Sequence, residues 1–119
     1  MAKLLTNYDS QYCCDIMERI SKLEYNWSGY NTEPFSDKLI DKCRYLLNGL
    51  EVKPFVCPCL NGGIQFEYEK DNDDYLEFTI LIDKIKYFQY LNNGNDVKSG
   101  VVSNKNVIES MNKLIKNFL

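Results

Sequence analysis

The sequence contains no histidine among its 119 residues. This absence excludes the most common general base, the Ser-His and Cys-His nucleophile pairs, and every metal site that needs imidazole. An excess of positive charge is also missing, because 14 Lys and Arg residues are outnumbered by 17 Asp and Glu residues and the formal charge is -3. Direct binding of nucleic acid or of an anionic membrane through net charge is therefore not expected.

Long apolar runs are absent as well. No segment approaches the length of about 20 residues that a membrane-spanning helix needs, and residues 1–7 lack the apolar stretch of a secretion signal. The sequence therefore predicts a cytoplasmic protein without a membrane partner. Its cysteines are odd in number, which favours reduced thiols over a disulfide framework; they are Cys13, Cys14, Cys43, Cys57 and Cys59.

The apolar residues make up 45% of the chain, which is enough for one core and predicts a single domain over residues 1–119. Residues 13–23, 39–47 and 107–118 place apolar side chains three and four positions apart, which predicts three helices. The predicted N-caps of these helices are Asp9 or Ser10, Ser36, and Asn106 or Ser103. Gly49 is predicted to end the second helix.

Four further segments, residues 55–60, 64–69, 75–82 and 85–91, are predicted to form strands. Pro58 lacks a backbone donor and predicts an edge strand, whereas Asn61-Gly62-Gly63 predicts a hairpin turn. Asn92-Asn93-Gly94-Asn95 is predicted to close the last strand. The resulting order, ααββββα, predicts a two-layer α+β fold in which a four-stranded antiparallel meander packs against three helices.

One part of the chain carries a family resemblance. The loop Asn26-Trp27-Ser28-Gly29-Tyr30-Asn31-Thr32-Glu33-Pro34 is followed by a helix and by Asn61-Gly62-Gly63-Ile64-Gln65-Phe66-Glu67-Tyr68. Residues 23–82 thereby resemble a widespread group of small bacterial and phage proteins with an Asn-Trp-Asp-Gly-Tyr-Gly-Ala motif, although Ser28, Asn31 and Thr32 stand where that motif has Asp, Gly and Ala. The resemblance implies no particular activity. It does imply an origin in phages or mobile elements and a role in interaction, inhibition or immunity.

The loop of residues 25–34 has two interpretations. Trp27 and Tyr30 present rigid aromatic area, as residues at the centre of protein interfaces do. Alternatively, Trp27 fills the gap between the helices and the sheet, since a lone Trp is usually largely buried. Tyr30 is expected to be the more exposed of the two rings.

An acidic segment is the most distinctive feature of the composition. Between residues 67 and 83 a single base, Lys70, stands against Glu67, Glu69, Asp71, Asp73, Asp74, Glu77 and Asp83. If the two strands pair, Glu67, Glu69 and Glu77 share the solvent face, with Asp73 and Asp74 at its end. We expect this face and the loop of residues 25–34 to bind another protein. One candidate is a nucleic-acid-binding enzyme whose basic groove the chain would occlude, as phage inhibitors of CRISPR nucleases do.

Three alternatives stay open from the sequence. The acidic face can be an ordinary solvated surface that prevents aggregation of a sheet edge. The same carboxylates with Tyr30 can form a metal site or an acid-dependent active site, which requires them to converge in a cleft. The chain can also form a homodimer through an edge strand or through exposed aromatic residues. No cofactor and no catalytic residue are predicted. No metal site is predicted either, because Asp71-Asn72-Asp73-Asp74 lacks the Gly and Glu of a calcium loop and the cysteines lack the spacing of a zinc site.

Overall fold

The computed structural model describes residues 2–6 and 8–119, so that Met1 and Asn7 of the N-terminal stretch lie outside the described residues. Within these described residues, three helices and five strands follow one another in the order ααβββββα. They are α1 Ser10–Ser21, α2 Asp37–Gly49, β1 Phe55–Pro58, β2 Ile64–Glu69, β3 Tyr75–Ile80, β4 Ile85–Leu91, β5 Asp96–Val101 and α3 Val107–Phe118.

Side-chain caps fix the starts of α1 and α2 where the sequence predicted them. The Asp9 carboxylate accepts a hydrogen bond from the backbone N–H of Tyr12 at 2.8 Å, and the Ser36 hydroxyl accepts one from Leu39 at 3.2 Å. α3 begins differently. Asn106 occupies its N-cap position in the left-handed conformation, without a capping side-chain bond. The apolar stripe of α3 and its packing therefore hold this helix in place.

The five strands form one antiparallel sheet in the order β1-β2-β3-β4-β5. The α+β class is confirmed, and β1 lies at an edge as Pro58 predicts. The prediction of four strands is wrong, because residues 92–95 turn the chain into a fifth strand. β5 lies at the opposite edge and is exposed along almost its whole length. It therefore has no buried face and no period-two apolar pattern that would reveal it.

The core lies between one face of the sheet, here called the inner face, and the three helices. Phe66, Tyr68, Leu76 and Phe78 on this face are all fully buried, and they belong to one cluster with the apolar stripes of the helices. The two-layer arrangement follows, since each element has a single apolar face to bury. Ile82 was predicted to point inward, but β3 ends at Ile80, and Ile82 is exposed in the following turn.

Candidate functional site

The opposite face of the sheet, here called the outer face, turns away from the helices. The register aligns its side chains in three rows across the strands. These rows are Glu69–Tyr75–Tyr90–Val97, then Phe55–Glu67–Glu77–Phe88–Ser99, and then Cys57–Gln65–Thr79–Lys86–Val101. Carboxylates therefore lie near the middle of the sheet, with aromatic or aliphatic side chains on both sides of them.

Glu67 and Glu77 are directly opposite each other on β2 and β3. The Cys57 thiol donates to Glu67 Oε2 at 3.0 Å, and the Gln65 amide donates to Glu77 Oε2 at 3.0 Å. Neither carboxylate has a basic partner, because both ion pairs found in residues 2–6 and 8–119 are made by Glu18. Two carboxylates of like charge therefore lie opposite each other, and the side chains that donate hydrogen bonds to them are neutral.

The charges of Glu67 and Glu77 also affect the pKa of Tyr75. Burial is the main cause that raises the pKa of its hydroxyl, and the negative charges of Glu67 and Glu77 raise it further. The ring is half-buried and lies beside Glu69 in the register. The tyrosine therefore stays protonated and offers a neutral O–H donor at the border of the acidic centre.

The turn between β2 and β3 differs from the sequence expectation. Asp73 is exposed and adopts a positive φ of 72°. Asp74, by contrast, is only 8% exposed, and its carboxylate accepts a hydrogen bond from the backbone N–H of Asn92 at 2.8 Å. Because that bond ties two loops together, Asp74 has a structural role and does not extend the exposed acidic face.

The loop of residues 25–34 lies at the other end of the sheet. Trp27 is half-buried, its ring packs against Phe35 at 5.7 Å, and its Nε1 donates to the backbone oxygen of Glu33 at 3.1 Å. Tyr30 is 77% exposed and lines a groove of about 550 Å³ with Leu60 and Ile82. Trp27 is thus packed against the core, and Tyr30 lies apart from Glu67, Glu69 and Glu77.

Metal-binding geometry is a further question for the acidic side chains and thiols. Across the described part of the chain, no group of three or more His, Cys, Asp or Glu side chains is arranged to hold a metal ion. Glu67 and Glu77 form a pair on an open face. Cys13 and Cys43 are buried on the helices, where they pack as small apolar side chains.

Cys57 and Cys59 flank Pro58 at the end of β1 and are both half-buried. The neighbouring Cys57 thiol lowers the pKa of Cys59, whereas the Cys59 thiol, burial and the nearby Glu67 carboxylate raise the pKa of Cys57. Cys59 is therefore the member of the pair that more readily forms the nucleophilic thiolate.

We expect iodoacetamide at neutral pH to alkylate Cys59 several-fold faster than Cys57. Replacing Cys57 with alanine removes the neighbouring thiol that lowers the pKa of Cys59, and it should therefore slow alkylation of Cys59. Cys14→Ala is the matched control, because that exposed thiol lies on α1. Peptide mass spectrometry over a time course measures both rates, and equal rates for Cys57 and Cys59 would contradict the assignment.

Comparisons of the chain with protein-family models, curated proteins and solved structures find no match. The family resemblance of residues 23–82 therefore stays a prediction. None of the helices in residues 2–6 and 8–119 combines the length and apolar character needed to cross a membrane.

Several residues of the outer face were missed by sequence reasoning. Phe88 and Tyr90 lie on this face, whereas Tyr87 and Leu91 of the same strand pack against the core. Aromatic and apolar residues thus occupy both faces of β4, so that no alternation separates them. The pairing of β3 with β4 supplies the missing signal. Phe88 lies opposite Glu77, and Phe88 and Tyr90 therefore belong to the outer face.

Proposed function

We propose that this chain is a non-enzymatic, cytoplasmic protein-binding module that docks its outer face on a basic surface of another protein. In this proposal it acts as an inhibitor or immunity-type factor of phage or mobile-element origin. The observation that carries the proposal is the directly opposed pair of Glu67 and Glu77, which has no basic partner in the described chain and is bordered by Phe55 and Phe88.

The energetics of that pair favour an external cation. Like charges directly opposite on neighbouring strands destabilise a sheet, and the side chains that donate hydrogen bonds to Glu67 and Glu77 are both neutral. A guanidinium or ammonium group from a partner would remove the repulsion and form charge-assisted hydrogen bonds with both carboxylates. This repulsion supports the proposal of a bound state in which positive charge lies over Glu67 and Glu77.

Aromatic neighbours would supply contact area around this charged centre. Phe55 is 41% exposed, and Tyr75, Phe88 and Tyr90 are half-buried on the same face. Such side chains are enriched at protein interfaces because they bury a large area and lose little conformational entropy. The partner is thus expected to surround a basic group with apolar surface.

A nucleic-acid-binding enzyme fits this description. Its groove carries Lys and Arg side chains that bind phosphates, and an acidic protein face can occupy the same groove. Occlusion would block the nucleic acid without any chemical step, which is the mode of action of an anti-CRISPR-like inhibitor.

The proposal is tested by reversing the three charges together. Glu67→Lys, Glu69→Lys and Glu77→Lys should reduce partner capture at least about 100-fold, because the reversal costs several kcal/mol and each 1.4 kcal/mol is about tenfold in affinity. Affinity capture from a lysate of the native host, quantified by mass spectrometry, compares this variant with the wild type. The matched control reverses Glu24, Asp41 and Glu51, which are exposed elsewhere, and has the same net charge.

The control should retain the partner, and circular dichroism should show that both variants are folded. Binding by the wild type should also weaken as salt is raised, because exposed charges are screened. Equal capture by the wild type and by the variant at Glu67, Glu69 and Glu77 would overturn the proposal. So would equal losses in the two charge-reversed variants, since net charge alone would then explain the effect.

A further inference from the structure

The two edges of the sheet differ in how their backbone groups are satisfied. At β1, the Tyr12 hydroxyl accepts a hydrogen bond from the N–H of Val56 at 3.0 Å and donates to its carbonyl oxygen at 3.4 Å. A further bridge joins Tyr8 to Lys53 beside the same strand. This edge is therefore covered by the N-terminal part of the chain.

In the described part of the chain, no such cover lies along the edge formed by β5. The N–H of Val102 bonds to the carbonyl of Ile85, and in an antiparallel ladder every second residue bonds in the same direction. Asp96, Lys98 and Gly100 therefore face β4, whereas the N–H and C=O groups of Val97, Ser99 and Val101 point to the free edge. No side chain within residues 2–6 and 8–119 hydrogen-bonds to these groups.

We propose that β5 pairs with β5 of a second copy of this chain, forming a symmetric homodimer with one continuous ten-stranded sheet. A twofold axis perpendicular to the sheet keeps the outer faces of both copies on one side. Each outer-face residue must then pair with another outer-face residue, which leaves only every second register. Three of these registers pair at least two of the edge-directed residues Val97, Ser99 and Val101 with such residues of the second copy.

One register is favoured by both hydrogen bonding and charge. With Ser99 opposite Ser99 of the second copy, Val97 pairs with Val101 of that copy and Val101 with its Val97, so that all three edge-directed residues bond. This gives six backbone hydrogen bonds, because each such pair exchanges two. Moving the register by two residues in either direction leaves four bonds within β5, and one of those shifts places Lys98 directly opposite Lys98 of the second copy.

The same register pairs exposed apolar side chains. Val97 and Val101 are 63% and 59% exposed in the single chain, and both lie on the outer face. Across the new junction each valine would cover the other, in a cross-strand pair of the kind that stabilises sheets. The row Tyr75–Tyr90–Val97 would then continue into Val101 of the second copy, which makes a second chain the occupant that fits this edge.

Light scattering after size exclusion, over a wide concentration range, tests the proposal. The wild type should have twice the 14.0 kDa mass of one chain. Val97→Lys with Val101→Lys places like charges opposite each other and should give the single-chain mass, whereas Val97→Lys with Val101→Glu should restore the doubled mass. Ser99→Pro is a second disrupting variant that spares the β4 ladder, since the N–H of Ser99 faces the free edge.

Circular dichroism should show the same fold for all variants. A wild type with the mass of one chain at every concentration would overturn the proposal, as would a doubled mass for the Lys-Lys variant. A Lys-Glu variant as dissociated as the Lys-Lys variant would overturn the register. The homodimer does not rest on the proposed binding of a basic partner, because Glu67, Glu69 and Glu77 lie outside β5. The mass measurement on the Val97 and Val101 variants and the capture experiment on the Glu67, Glu69 and Glu77 variant therefore succeed or fail separately.

Discussion

Replacing Phe78 with alanine is expected to lower the free energy of unfolding by about 3–5 kcal/mol. Phe78 lies in the central strand of the sheet, is fully buried, and contacts Tyr68 edge to face with ring centroids 6.4 Å apart. On β2 and β4 its neighbours are Phe66 and Tyr87, so that the truncation would leave a cavity that these rings cannot fill without moving. Since domains of this size are stable by about 5–15 kcal/mol, this single change removes a large fraction of the total.

Urea unfolding followed by circular dichroism measures this loss. Phe55→Ala is the matched control, because that ring is 41% exposed on the outer face and its removal opens no core cavity. The control should change the stability much less. A loss for Phe78→Ala that does not exceed that of the control would contradict the assignment of Phe78 to the core.

The second large effect concerns alkaline pH and Tyr68. This ring is fully buried, its hydroxyl donates to the backbone oxygen of Val52 at 2.6 Å, and burial raises its pKa well above the usual 10.0. The folded state therefore holds the tyrosine proton more tightly than the unfolded state. The stabilisation is fully present below pH 10 and is lost as the pH rises further, by about 1.4 kcal/mol per pH unit for this group.

Tyr68→Phe should reduce this alkaline slope and should also lower the stability at neutral pH by about 1–3 kcal/mol, since the Val52 carbonyl loses its buried donor. Tyr45→Phe is the control, because Tyr45 is 69% exposed and should leave both quantities nearly unchanged. Thermal unfolding across an alkaline pH series measures the slopes. Equal slopes for the wild type and Tyr68→Phe would show that Tyr68 does not carry the pH dependence.

Local chemistry explains why much of the fold was predictable. Asp9 and Ser36 cap α1 and α2 through bonds that involve only the next few residues, so that a short stretch of sequence defines each helix start. The turn at Asn61-Gly62-Gly63 is equally local. Gly62 adopts a positive φ of 89°, which favours glycine, and the backbone N–H of Cys59 donates to the carbonyl oxygen of Gly63 at 2.9 Å. Such features depend little on the rest of the chain.

The errors arise where long-range packing decides the structure. β5 forms because its backbone pairs with the edge of β4. Its side chains are almost all exposed, so that no alternation of apolar and polar residues indicates a strand there. The burial of Asp74 could not be predicted from the sequence either, because its hydrogen-bond partner Asn92 lies 18 residues away in another loop. Acidic residues that are neighbours in the chain thus separate into a buried structural group and an exposed one.

The candidate site was predictable only in part. Alternation along β2 and β3 correctly placed Glu67, Glu69 and Glu77 on one face. It could not show that Glu67 and Glu77 are directly opposite, because that depends on the register of the hairpin. Nor could it show that Trp27 and Tyr30 lie at the other end of the sheet. The charged centre of the proposed interface is thus a product of strand pairing.

Labelling of carboxylates with a carbodiimide and an amine, in the free chain and in its complex with the captured partner, tests the central claim most directly. We predict that Glu67, Glu69 and Glu77 lose their reactivity in the complex, because a basic surface covers them. Glu24, Asp41 and Glu51 should react equally in both states. Unchanged labelling of Glu67, Glu69 and Glu77, with protection elsewhere on the chain, would contradict the docking of the outer face.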